Sequence, residues 1–305
     1  MGIYGISRQV EFMMRKGLTI ITPTYNREKL LVNAWKSLQA QNSVDFIWLI
    51  VDDGSIDNTR QQVNEFAANS EFEVIYIYQE NGGKHRAINT GVKLCETEHV
   101  CILDSDDKMT ATFIESVCGY INDYQYHPNL GGIVGRICSE KGEIYGKELN
   151  RILITDIIDY RYNLKIGGDH FEIFKTNVML YNPFPEIEGE KFVPESLAWN
   201  RIGTQYDLLF VPDVFQIREY LVGGLTDNII KIRMKSPMAA MLTYSELNAY
   251  DIPWKEKIKS ALNFWRFSFN SGSSLREKVK MIGPFNLWLF PLGFFLYVKD
   301  LLNIR

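Results

Sequence analysis

Four times between Leu18 and Tyr124 the chain repeats one pattern: an apolar run without alternation, a polar tip, then apolar residues at helical spacing. LTIITP (18–23) leads through TYNR into LLVNAWKSLQAQ, and FIWLIVDDGS (46–55) leads into TRQQVNEFAAN. FEVIYIYQ (72–79) leads into GGKHRAINTGVKLCE, and HVCILDSDD into ATFIESVCGYINDY. A strand without alternation is apolar on both faces and needs cover on both, which predicts a parallel sheet flanked by helices. In such sheets ligands bind beyond the carboxyl ends of the strands. TYNR, DDGSIDN, QENGGKHR and DSDD all fall at those ends, so four tips predict one site.

The second half is less regular. GGIVGRIC (131–138) and HFEIFKT (170–176) read as strands, SLAWNRIGTQ as a short helix, and LLFVPDVFQIREY as a long strand interrupted by Pro212. No repeat, low-complexity tract or linker divides residues 17 to 250, which predicts one domain there. Residues 1–16 form an extension before it, and 251–305 a helical region after it.

Composition removes several classes of function. At 305 residues, 46% hydrophobic and 23% charged, the chain can bury a core. A net charge of −4 supplies no basic field for nucleic acid. Cys95, Cys101, Cys118 and Cys138 include no CxxC pair, so buried, reduced thiols are expected rather than zinc. The loop after the first strand lacks the GxGxxG of a dehydrogenase and the glycines of a nucleotidyltransferase. No basic-then-apolar leader opens the chain, and Ile6 stands where myristoylation needs Ser or Thr, so a cytoplasmic protein is expected.

The fourth tip holds the sharpest chemical question. Asp104, Asp106 and Asp107 would repel one another unless a positive charge lies among them. An EF-hand does not fit, because Lys108 and Met109 take the fifth and sixth positions and a strand enters the loop. A divalent cation bridging carboxylates to a diphosphate does fit, since Mg²⁺ and Mn²⁺ take one or two carboxylates plus phosphate oxygens. The other tips suit a nucleotide. Asp52 and Asp53 can accept hydrogen bonds from base or ribose, and Tyr25 can stack. Lys84 and Arg86 follow Gly82 and Gly83 at a helix start, where N–H groups and cations suit phosphate or sugar hydroxyls.

TPTYNR, VDDGSIDNT, the N-G-G-K-x-x-A-x-N stretch from Asn81 to Asn89, and LDSDD resemble, in this order, the family 2 glycosyltransferases of the GT-A fold. The likeness covers roughly residues 18 to 250. It implies a Rossmann-like, mostly parallel sheet with a nucleotide-binding half (17–108) and an acceptor-binding half (109–250). It also implies inverting transfer of a sugar from a nucleotide donor, UDP above GDP or dTDP, to a carbohydrate or lipid-linked acceptor. By motif position Asp53 would face the base, Asp104 the ribose and metal, and Asp106 the Mn²⁺ or Mg²⁺ and the diphosphate. Pro23, Thr24, Tyr25, Arg27, Gly83, Lys84, Asn89 and Ser105 would complete the nucleotide pocket. GEKFVPESLAWNRI (189–202) and EYLVGGLTDN (219–228) resemble the acceptor side. The Gly-Lys-His at 83–85 departs from the small residues common in relatives.

An inverting transfer needs a carboxylate base opposite the leaving group. Carboxylates cluster in EIEGEKFVPES: Glu186, Glu188, Glu190 and Glu195. Pro194 suits a helix start, which places Glu195 in the first turn, held firmly and kept ionised by the dipole. Glu195 is the expected base and Glu190 the second candidate. Complementing the helix dipole is the competing role for Glu195.

The C-terminal region carries WKEKIKSALNFWRFSF (254–269) and PFNLWLFPLGFFLYV (284–298). Fifteen residues containing Pro291 and Gly293 fall short of the ~20 a bilayer span requires. Aromatic residues beside basic ones predict a peripheral anchor through residues 254–302, on the inner face of the cytoplasmic membrane. Packing on the catalytic domain, or on a second subunit of a homodimer, is the alternative.

Overall fold

The computed structural model describes residues 15–218 and 228–303. The four repeats become β1 (Arg15–Thr24), α1 (Glu28–Gln39), β2 (Phe46–Asp52), α2 (Thr59–Ala68), β3 (Glu73–Tyr78), α3 (Lys84–Leu94), β4 (Thr97–Ile102) and α4 (Phe113–Tyr124). A two-residue β5 (Lys108–Met109) precedes α4. Strands β3, β2, β1 and β4 lie side by side and parallel, with Ile20 opposite both Trp48 and Cys101. Every residue of β2 is buried, which accounts for its lack of alternation. Trp48 and Ile50 enter one core with Leu31, Leu38, Val63 and Phe66 of α1 and α2. Leu49 and Val51 enter another with Ala87, Ile88 and Val92 of α3.

The second half adds β6 (Leu130–Cys138), β7 (Leu153–Thr155), β8 (His170–Lys175), α5 (Thr176–Tyr181), α6 (Glu195–Gly203), β9 (Asp207–Ile217), α7 (Ile229–Lys235) and α8 (Pro237–Ala249). The α/β expectation holds, but the sheet is more mixed than a mostly parallel one. It continues β4–β8–β6–β9–β5, with β8 antiparallel to both neighbours and β5 and β7 antiparallel to β9. Between β6 and β8 the chain passes through β7 and a short helical turn over Asp159–Asn163, and β8 re-enters the sheet in the opposite direction. Pro212 does not break β9. The ladder to β6 shifts between Val134↔Phe210 and Arg136↔Val214, and Pro212 sits exposed in that bulge, where a missing N–H is tolerated.

Helices α9 (Trp254–Ser268), α10 (Leu275–Ile282) and α11 (Phe290–Asn303) follow. Met241 of α8 shares a third core with Phe264, Trp265, Ile282 and Leu289, so this layer packs on the preceding helix. A 3₁₀ turn over Pro284–Leu289 runs into α11, giving a helical stretch of 20 residues that is long and apolar enough to cross a bilayer. The sequence expectation of a segment too short to span is corrected on this point, because Pro291 sits in the first turn of α11 and does not end the helix. The stretch is nevertheless docked along α9. A Cβ on Gly293 would come 2.3 Å from Trp265 Cβ, and Arg266 donates to both oxygens of buried Asp300 at 2.5 and 2.7 Å.

Candidate active site

The turn after β4 answers its own repulsion with three cations from three distant segments. Lys84 Nζ lies 2.6 Å from Asp104 Oδ1, Arg27 Nη1 lies 3.0 Å from Asp106 Oδ2, and Arg218 Nε lies 2.9 Å from Asp107 Oδ2. Gln216 donates to the same Asp107 oxygen at 2.6 Å. Burial works against the charge on Asp104, but Lys84, with Arg218 and Arg27 behind it, holds its carboxyl below the usual range. Lys84 Nζ also lies 2.8 Å from Glu195 Oε1, at the start of α6. Despite burial, these two carboxylates keep its ammonium above the ordinary lysine range.

The tips enclose a cavity of about 990 Å³. Pro23, Thr24, Tyr25 and Arg27 line it after β1, Asp53 after β2, and Gly83 and Lys84 at the start of α3. Asp104, Ser105 and Asp106 line it after β4, and Glu195 reaches it from the start of α6. Gly83 has φ +101°, and a Cβ there would lie 2.1 Å from Lys191 O, so only glycine lets the two loops approach.

Several expectations are corrected. Asn89 does not line the cavity: it bonds Phe184 O, Phe184 N and Glu186 Oε1, each at 2.9 Å, and pins the loop before α6 to α3. Arg86, read as a phosphate or sugar ligand, instead donates to the carbonyls of Gly82 (2.8 Å), Ile187 (2.8 Å) and Glu190 (3.2 Å). Asp53 is at the cavity, yet its oxygens accept from Gln79 (2.7 Å), Gly82 N (2.9 Å), Gly83 N (2.7 Å) and Asn81 (3.1 Å). A base reaching Asp53 has to share an oxygen that already accepts two hydrogen bonds. Glu190, the second candidate base, is buried and accepts from Met238 N and Ala239 N at 2.7 and 2.8 Å, satisfying the first turn of α8. The EYLVGGLTDN loop lies outside the described residues apart from Asn228.

Some cavity residues escaped the sequence reading. Arg161, Asp169, His170 and Glu172 form a wall beyond Glu195. Burial pushes the Glu172 carboxyl up to about 7, although Arg161 lies 2.9 Å away. A glutamate between Phe171 and Ile173 in a strand was the available signal. His85, buried beside Lys84, also lines the cavity.

Among the described residues no group of three or more His, Cys, Asp or Glu could hold a metal unaided. Asp104 and Asp106, both partly exposed to the cavity, suit an ion completed by phosphate oxygens, which needs only one or two protein carboxylates.

Comparison with known proteins gives the lineage. The profile described as "Glycosyl transferase family 2" matches residues 19–182. Glycosyltransferase GlyA of Streptococcus pneumoniae serotype 4 is 32% identical over 185 residues, 61% of this chain and 24% of that protein. The GalNAc(5)-diNAcBac-PP-undecaprenol beta-1,3-glucosyltransferase of Campylobacter jejuni is 26% identical over 184 residues, 60% of this chain and 58% of that protein. The chain thus aligns with about a quarter to somewhat over half the length of these relatives. Among solved structures, Staphylococcus aureus TarS 1–349 in complex with UDP shares the fold at TM-score 0.63 and 17% identity, over 93% of this chain and 88% of that one. The mannosyltransferase PcManGT of Pyrobaculum calidifontis, in complex with GDP-Man and Mn²⁺, matches at TM-score 0.58 and 17% identity, over 96% and 88%. The profile match spans more than half of the chain and takes in all four strand-end tips: the chain belongs to glycosyl transferase family 2.

Proposed function

We propose that this chain moves a sugar, with inversion, from a UDP-linked donor to a hydroxyl of a growing surface polysaccharide or lipid-linked oligosaccharide. The observation carrying this reading is the sharing of Lys84 by Asp104 and Glu195, which holds a second carboxylate across one ammonium from the candidate metal ligand. Glu195 takes the proton of the attacking hydroxyl. As that oxygen bonds the anomeric carbon the sugar–phosphate bond breaks, and the departing nucleoside diphosphate is met by the cations Arg27 and Lys84. A bound Mn²⁺ or Mg²⁺ on Asp106 and Asp104 would supply charge neutralisation of that leaving group. The Campylobacter relative is named for a undecaprenol-linked glycan, TarS has been solved with UDP-GlcNAc, and PcManGT with Mn²⁺; each supports the corresponding part. The test is a thermal-shift screen of sugar nucleotides with and without Mn²⁺, followed by assay of UDP release. Stabilisation by no sugar nucleotide overturns the reading.

We further infer that the protein works at the cytoplasmic face of the membrane through the outer side of Pro284–Asn303. Phe285 (92% exposed), Trp288 (60%) and Phe295 (67%) stand out on a helix whose inner side is fixed to α9. Between Trp254 and Asn303 there are eight Lys or Arg and three Asp or Glu, against 33 and 37 in the whole chain. That local excess of positive charge suits anionic lipid.

A further inference from the structure

The residue expected to read the nucleobase has little capacity left for it. Asp53 carries four hydrogen bonds on two oxygens, which fills about four lone-pair sites. Its neighbours have capacity unused. His85 is 2% exposed, lines the cavity, and has no hydrogen-bond partner at Nδ1 or at Nε2. Thr24 Oγ1, buried at the end of β1 in the same cavity wall, has none either. Asp53 ties these positions together. Its N–H donates to Thr24 O at 2.8 Å, and its carboxylate takes the N–H groups of Gly82 and Gly83 just before His85. Buried polar atoms in native proteins nearly always have a partner, and exceptions call for an explanation.

Resting on the transferase reading above, we propose that His85 hydrogen-bonds the nucleobase of the donor and, with Thr24, determines which base the site accepts. Burial, with Arg86 nearby, pushes the ring down to about 4, so at neutral pH it offers one N–H and one lone pair and no charge. An uncharged donor–acceptor ring matches the edge of a base. The diphosphate is assigned to the cations Lys84 and Arg27, which attend Asp104 and Asp106. The histidine at this point of the NGGK stretch then has a purpose: it is a specificity residue rather than a packing one.

The experiment measures binding of UDP, GDP, dTDP, ADP and inorganic diphosphate to the full chain and to His85→Phe, His85→Gln and Thr24→Val, with melting temperatures alongside. For the nucleoside diphosphate that binds best, His85→Phe should lose roughly tenfold or more in affinity, with inorganic diphosphate unaffected. Its melting temperature should be unchanged or higher, because an unpartnered buried polar group is gone. His85→Gln should regain part of the loss, and Thr24→Val should shift the preference among bases. If Phe is not accommodated, His85→Leu reads the same quantities. Nucleotide affinity within twofold of the parent sinks the proposal, and so does an equal loss for inorganic diphosphate together with lower stability. If no nucleotide binds even the unaltered chain, the transferase reading falls and this inference with it.

Discussion

Lys84 stands between Asp104 and Glu195, its Nζ 2.6 Å from one carboxylate and 2.8 Å from the other. One ammonium thereby fixes the distance between a candidate metal ligand and the candidate base. It also occupies Asp104 as a competitor of any divalent ion. Lys84→Met should lower transfer by roughly tenfold or more, since Glu195 loses its anchor. The same change should tighten Mn²⁺ binding in the presence of UDP, readable by paramagnetic resonance. Weaker Mn²⁺ binding in the variant would show that Lys84 assists the ion instead.

Glu195 and Glu190 set a candidate base against a carboxylate that completes a helix end. Glu195→Gln keeps the shape and removes the basicity, so transfer should fall by about 10²-fold or more with UDP affinity retained. Glu190→Gln removes a charged acceptor from the first turn of α8 and should cost about 1–2 kcal/mol of stability, read by denaturant unfolding. Activity per folded molecule should survive that second change. The opposite pattern would exchange the two roles.

Glu172 should make the fold sensitive to pH. Burial raises its carboxyl from the ordinary 4.5 to about 7, so between those values the folded chain binds more protons than the unfolded one. Its contribution therefore falls as pH rises through that window, and the cost is complete above about 7. Glu172→Gln should narrow the gap in melting temperature between pH 5 and pH 8. A gap as wide as that of the parent would place the titration elsewhere.

Charging the outer side of the C-terminal stretch should release the protein from lipid. Phe285→Asp combined with Trp288→Asp should abolish sedimentation with vesicles containing anionic phospholipid, with UDP-sugar hydrolysis in solution unchanged. Both positions are exposed, so folding should be intact. If the parent is a dimer and the double variant a monomer, that side is a subunit interface.

The parallel half was legible because each β-strand there is covered on both faces, and β2 carries that demand in seven consecutive buried residues. The direction of β8 was not, since it follows from where a long excursion re-enters the sheet rather than from local pattern. The carboxylates of the site could be read, but not their partners. Asp107 and Arg218 are 111 residues apart, and no local spacing announces the pair. Lys84 was read as a phosphate or sugar ligand, and the structure puts it between two acids. Glu195 was preferred to Glu190 from the sequence, but that Glu190 accepts from the N-terminus of α8 was not legible there. Asn89 belonged to a motif that seemed to point at the nucleotide, whereas it clamps the loop at Phe184.

That clamp has company. Along one side of α3, Asn89 holds Phe184, Arg86 holds Ile187 and Glu190, and Gly83 lies against the backbone of Lys191. Four successive points of the loop before α6 are thus referenced to one helix of the parallel half. Exchanging that loop between family members would carry its shape across only if residues 83–89 travelled with it. For recombination and library design, the modular unit is two stretches a hundred residues apart, inherited as one piece.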